Sequence, residues 1–177
     1  EKYYKGLDLL FEALVLLKQK QINIRLNLIG DGPDMKFLQD FSNKNNLSHI
    51  VTFIGSKTGK DKYNLILQND VFILTSRSEG LPTGVLEAAS MAIPLIVTKS
   101  TNMADYIRSS SAGYVIKKLT AYNISNAIQT AYLDKKTGIL AYKGKSARKM
   151  IKKSFLWPKI ATLMDENIYS KVKVCKK

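Results

Sequence analysis

The stretch from Ser76 to Val97 constrains this chain more than any other. It follows a short apolar run, Val71-Phe72-Ile73-Leu74, whose length and β-branched content suit a buried parallel strand. Polar residues break the run, Glu79-Gly80 turns the chain, and Pro82 stands where a first helical residue is favoured. Val85, Leu86, Ala88, Ala89 and Met91 then give an apolar helix face that ends near Pro94, and Leu95-Ile96-Val97 forms the next strand.

The rest of the chain repeats this alternation. Leu7, Leu10, Phe11, Leu14 and Leu17 fall at helical spacing over residues 7–20. Ile22, Ile24, Leu26 and Leu28 alternate with polar residues until Gly30-Asp31-Gly32-Pro33 stops the run, which reads as a strand ending in a tight loop. A helix over 34–46, a strand over Ile50–Ile54 and a helix over 58–68 lead to Val71. Beyond Val97 come a polar loop at Thr98–Thr101, a short helix over Met103–Arg108 and a last strand at Gly113–Ile116. Helices over 120–135, 139–150 and 154–169 follow, with Trp157-Pro158 at the start of the last. Strand and helix alternating at this spacing require right-handed crossovers, so the expected fold is α/β, a Rossmann-like parallel β-sheet flanked by helices.

A length of 177 residues suits one well-buried domain and is too short for two full-sized ones. The single Cys175 excludes an internal disulfide framework and a cysteine-based metal site, and the single His49 excludes a His-rich metal site. No apolar span reaches membrane length, because Glu87 and two prolines break the longest candidate.

The formal net charge is +14 and the pI near 9.8. Lysines are densest late, at Lys143, Lys145, Arg148, Lys149, Lys152 and Lys153, and again at Lys171, Lys173, Lys176 and Lys177. Such a surplus fits a solvated face or an anionic membrane surface. No aromatic-basic recognition motif accompanies it, so nucleic acid is not an expected partner.

The chemistry concentrates after Leu74. A loop that leaves a buried strand and opens a helix carries N–H groups without intrahelical acceptors, here expected from Leu81 through Val85, and these can bind an anion. Gly80 and Gly84 have no side chain to block a phosphate. Glu79 on the loop and Glu87 a turn into the helix bracket the cradle, and a carboxylate suits the paired hydroxyls of a sugar. Packing alone also explains a strand, a Gly/Pro turn and an Ala-rich helix, so spacing leaves both readings open.

The sequence EGLPTGVLEA, followed by AIPLIVT, resembles the E-x7-E signature of retaining glycosyltransferases of the GT-B fold, family 4 type (glycosyl transferases group 1). Lys5-Gly6, Gly30-Asp31-Gly32-Pro33, the Val51-x-Phe53-x-Gly55 pattern and Asn69-Asp70-Val71-Phe72 are similar to further motifs of that family and occur in its order.

The resemblance implies the C-terminal, donor-binding half of a longer enzyme. Residues 1–177 would form a single nucleotide-sugar-binding domain, without its first strand and its N-terminal acceptor-binding partner. Residues 152–177 would be a C-terminal helical segment packing through Phe155 and Trp157 on the absent half, or these two side chains would belong to the core. A sugar would pass with retention from a nucleotide-diphosphate sugar to a glycan or lipid-linked acceptor.

By the same resemblance Lys5 and Glu79 are the catalytic side chains, and Lys5 contacts the diphosphate. Glu79, Gly80, Leu81, Pro82 and Thr83 address the sugar and phosphate, and Glu87 holds the ribose. Gly30 and Gly32 are minor candidates for approaching the donor, a plain turn into the helix over 34–46 explaining them equally well, and Gly55, Ser56 and Lys57 would lie beside the base. No metal motif of the Asp-x-Asp type is present, so no cofactor or metal is expected, and the expected location is cytoplasmic or peripheral at the inner membrane face. Two rival readings stay open: a sugar-nucleotide epimerase of similar architecture, and a basic non-catalytic module that binds membrane or nucleic acid.

Overall fold

The computed structural model describes residues 2–167. Its elements run α1 (Lys2–Lys5), α2 (Leu7–Gln19), β1 (Leu26–Ile29), α3 (Met35–Lys44), β2 (Val51–Gly55), α4 (Gly59–Leu67) and β3 (Phe72–Leu74). They continue through α5 (Thr83–Ser90), β4 (Leu95–Thr98), α6 (Ala104–Ser109), β5 (Gly113–Ile116), α7 (Ala121–Lys136), α8 (Ile139–Ser154) and α9 (Trp157–Asn167). The three ladders are parallel: β1 pairs with β2, and β4 pairs with β3 on one side and β5 on the other. The α/β class with parallel strands and flanking helices is therefore as expected.

Strand β4 shows why helices cover both faces. All four of its residues are buried, and successive side chains of a strand point to opposite faces. Leu95 and Val97 enter a cluster with Val85, Ala88 and Ala89 of α5 and Met150 of α8. Ile96 enters a different one, with Leu10 of α2 and Ile124 of α7. A third cluster joins Phe11, Leu14 and Leu17 of α2 to Leu38 and Val51 around the β1–β2 pair.

The strands do not form one sheet. They form a two-stranded sheet, β1-β2, and a three-stranded sheet, β3-β4-β5. Between the free edges of β1 and β3 lies a cavity of about 950 Å³, walled by Leu26 and Leu28 on one side and Val71 and Ile73 on the other, with Leu14 and Ile96 also lining it.

Several element bounds differ from the sequence reading, each for a local reason. Ile22 and Ile24 are outside β1, because the Ile22 N–H closes the end of α2 on the Leu17 carbonyl and Gln21 has φ 56°. Pro82 is the N-cap and not the first helical residue, since its φ −74° and ψ 102° are extended. Helix α5 ends at Ser90, short of Pro94. Helix α8 runs on to Ser154, because Met150 and Ile151 are buried against the α5 side and Lys152 and Lys153 suit the helix C-terminus. Phe155 packs edge-on against Tyr106 at 4.9 Å, whereas Trp157 is 79% exposed. Lys171, Lys173, Cys175, Lys176 and Lys177, with the end of the proposed terminal segment, lie outside the described residues.

Candidate functional site

The loop after β3 is fixed by the chain's first turns. Thr75 Oγ1 donates to the carbonyls of Lys5 at 2.9 Å and Gly6 at 3.2 Å, and the Arg77 N–H donates to the Tyr4 carbonyl at 2.9 Å. The Arg77 guanidinium grips Asp8 with two hydrogen bonds of 2.8 and 2.7 Å, donates to the Tyr3 carbonyl and lies 4.1 Å over the Tyr3 ring. Burial works against the charge on Asp8, but the Arg77 hydrogen bonds and charge outweigh it and hold the carboxyl below its ordinary value. From the other side Thr98 Oγ1 donates to the Ser76 carbonyl at 2.5 Å, and the Glu79 carbonyl accepts from the Asn102 N–H at 3.3 Å.

These restraints bring Lys5 and Glu79 together across most of the sequence between them. Lys5 Nζ lies 2.9 Å from Glu79 Oε2, and Ser76 Oγ donates to the same oxygen at 3.0 Å. Ser76 is fully buried, and the sequence reading gave it no site role. Only its position at the end of a strand, before a charged loop, could have drawn attention to it.

The start of α5 is open. Gly80, Leu81 and Thr83 are exposed, and a Cβ added at Gly80 would meet nothing within 4 Å. The Val85 and Leu86 N–H groups both find the Pro82 carbonyl, at 3.0 and 3.3 Å, so Val85 does not belong to the free donors expected from the sequence. Among the described residues the N–H groups of Leu81, Thr83 and Gly84 have no acceptor. At Gly84 a Cβ would stand 3.0 Å from Phe72 Cζ, so its small size serves packing on β3.

Glu87 is also engaged. Its Oε2 is buried, faces Lys62 Nζ at 2.5 Å and makes no hydrogen bond, so the contact is an ion pair without hydrogen-bond geometry. Lys62, in the first turn of α4, carried no signal in the sequence, because the pairing crosses between two helices that no periodicity links.

The remaining candidates lie at the same ends of the strands but form a second group. The Gly30 N–H donates to the Gly55 carbonyl at 2.9 Å, both glycines have positive φ (129° and 77°), and neither has atoms within 4 Å of an added Cβ. Gly30, Gly32 and Lys5 all line the cavity between β1 and β3. Ser56 and Lys57 are exposed, and no contact joins them to Glu79 or Glu87; α4, which follows them, makes the connection through Lys62. Among the described residues no three His, Cys, Asp or Glu side chains cluster to hold a metal ion.

A family model, glycosyl transferases group 1, matches residues 2–156. The chain belongs to that family. This group 1 chain is 23% identical over 172 residues to a component of human phosphatidylinositol N-acetylglucosaminyltransferase, covering 97% of the chain and 35% of the relative. It spans little more than a third of the length of the first curated relatives it matches. HepE of Anabaena, solved in complex with UDP, superposes with a TM-score of 0.80 at 20% identity, over 94% of this chain and 46% of that one. The C-terminal domain of the group 1 protein LpcC from Francisella tularensis superposes with a TM-score of 0.73 at 20% identity, over 87% of this chain and 81% of that one. The fold is that of the GT-B glycosyltransferases, and neither the epimerase nor the basic non-catalytic module is favoured by these matches.

Proposed function

We propose that this domain binds the donor of a glycosyltransferase that moves a sugar, with retention, from a nucleotide-diphosphate sugar to an acceptor glycan or lipid-linked sugar. The observation that carries the reading is the open α5 N-terminus, with unclaimed N–H groups at Leu81, Thr83 and Gly84 between two carboxylates. Helix N-termini favour anions through these donors and the helix dipole. The departing nucleotide diphosphate gains negative charge during transfer, and fixed N–H dipoles with the Lys5 ammonium stabilise it. Glu79, held by Lys5 and Ser76, faces the sugar and phosphate; Glu87 takes the ribose hydroxyls; residues 55–57 lie beside the base. Transfer needs no metal in this scheme. The UDP complex of HepE supports a nucleotide at this fold.

The same reading makes this the C-terminal half of its enzyme, consistent with the coverage of the LpcC domain. A strand preceding Lys2 would occupy the gap between β1 and β3, and the acceptor would lie on an N-terminal domain. An inner membrane surface is a fitting place for the enzyme: α8 presents exposed Lys145, Arg148, Lys149, Lys152 and Lys153, and residues 135–164 contain no acidic side chain. Among the described residues no helix is long and apolar enough to cross a membrane.

The test is a thermal-shift and titration panel of UDP, GDP, ADP and their sugars, since a ligand that binds only the folded form raises Tm. A charge-assisted hydrogen bond is worth about 1.5–3 kcal/mol, so Glu87→Ala should weaken the best nucleotide roughly 10- to 100-fold. No shift with any of the panel overturns the donor-site reading.

A further inference from the structure

We infer that Lys62 is a positioning residue of the nucleotide site, one that fixes Glu87 with one carboxylate oxygen buried and presents the other to vicinal hydroxyls of the ribose. The inference rests on the donor-site reading above.

Lys62 is not an ordinary surface lysine. Its side chain is 28% exposed, against 87% for Lys36, which makes a loose helical pair with Asp40 at 3.8 Å. It also occupies the first turn of α4, where the helix dipole disfavours a cation. Burial and helix position both oppose the charge, and the carboxylate of Glu87 at 2.5 Å is what offsets them.

The arrangement is asymmetric at Glu87. Oε2 is the buried atom, whereas the side chain as a whole keeps 26% of its surface. Oε1 accepts no hydrogen bond from the described residues and is not among the buried unsatisfied atoms. A carboxylate whose one oxygen is neutralised from inside keeps a fixed orientation and offers the lone pairs of the other outward, the form needed to accept two neighbouring hydroxyls. Glu79 is held in the same way, through its Oε2, by Lys5 and Ser76. Each carboxylate of the pair is thus anchored by a lysine from an earlier element, and α4 couples the base-side loop at residues 55–57 to the ribose position.

The experiment measures affinities of UDP, GDP and ADP, their 2′,3′-dideoxy counterparts and inorganic pyrophosphate for the parent chain, Lys62→Met, Lys62→Arg and Glu87→Gln. The parent should prefer the ribonucleotide over its dideoxy form. Lys62→Met should lose about tenfold in ribonucleotide affinity, keep its dideoxynucleotide and pyrophosphate affinities, and add nothing to the loss in a Glu87→Gln background; Lys62→Arg should restore most of it. Lys62→Gln, which keeps a donor but no charge, replaces Lys62→Met if that variant does not fold. Parent-like ribonucleotide affinity in a folded Lys62→Met or Lys62→Gln overturns the inference while leaving the donor site standing. An equal loss for pyrophosphate also overturns it, by making Lys62 a phosphate contact. Failure of the parent to bind any of the nucleotides removes the donor-site reading and the inference together.

Discussion

Gly6 passes so close to Thr75 that a Cβ on Gly6 would stand 2.1 Å from the Thr75 carbonyl oxygen. The contact locks the start of α2 against the end of β3, the same junction that sets Lys5 beside Glu79. Gly6 also has φ 65°, a left-handed conformation that L side chains adopt at a cost of about 1–2 kcal/mol. The clash comes on top of that cost, so Gly6→Ala should lower stability by more than about 2 kcal/mol. For a domain of this size that is a fall in Tm of at least roughly 4–8 °C. Gly32→Ala, where an added Cβ meets nothing within 4 Å and φ is not positive, should leave Tm nearly unchanged. Thermal unfolding of the two variants checks the contrast, and equal Tm values would contradict the close approach.

The Asp8–Arg77 pair should make stability depend on acid. The folded carboxyl is held below its ordinary value, so its contribution is complete above the unfolded pKa and is lost as pH falls through the depressed value. Both side chains are mostly buried, at 29% exposed for Asp8 and 23% for Arg77, and removing one partner of such a pair costs about 1–3 kcal/mol. Asp8→Asn should therefore lower unfolding free energy by that amount near neutral pH. The gap from the parent should narrow below about pH 4, as denaturant titrations across the pH range will show. A gap that stays constant down to acid would mean that the pairing is not the source.

Tyr114 supplies a second titration, at the alkaline end. Burial first, and then its 2.6 Å hydrogen bond to Asp134, push the phenol above its ordinary value of about 10. The contribution of the neutral phenol to stability is full below the unfolded pKa and is lost as pH rises through the elevated one. Tyrosinate absorbance should accordingly show a phase later than that of an ordinary phenol, and Tyr114→Phe should remove that phase alone.

Much of this architecture was readable from the chain because it is local. The bounds of α2 and β5 follow from helical spacing and a β-branched run, and β3–α5–β4 follows from a strand, a turn with Pro82 and an alanine-rich face. What escaped was non-local. The pairing of Lys62 with Glu87 joins two helices, the hydrogen bond from Ser76 to Glu79 depends on how the loop is folded back, and Arg77 finds Asp8 only because Thr75 and Gly6 have already met. The position of Ile24 outside β1, despite its alternating pattern, reflects the closing of α2 by Ile22, a competition that periodicity does not register. The division of the strands into two sheets had no signal either, since strand order is set by which edges meet.

That division gives the last prediction. The Leu26 and Gly30 N–H groups donate to β2, at Ile50 and Gly55, and the Phe72 N–H donates to Pro94 beside β4. Backbone groups alternate along a strand, so the N–H groups of Asn27, Ile29 and Ile73 are directed to the gap between the sheets. Unpaired donors along two facing edges are costly when enclosed and exchange readily when water reaches them. If a strand preceding Lys2 lies between β1 and β3, it runs parallel to both and takes up all three donors, because residues 5–6 already sit at the end of β3 where such a strand would finish. Hydrogen exchange should then find the Asn27, Ile29 and Ile73 amides fast in this chain and strongly protected in a longer form that carries the strand, with Leu26 and Phe72 changing less. Fast exchange at all three positions in the longer form would show that the gap is not filled from that side.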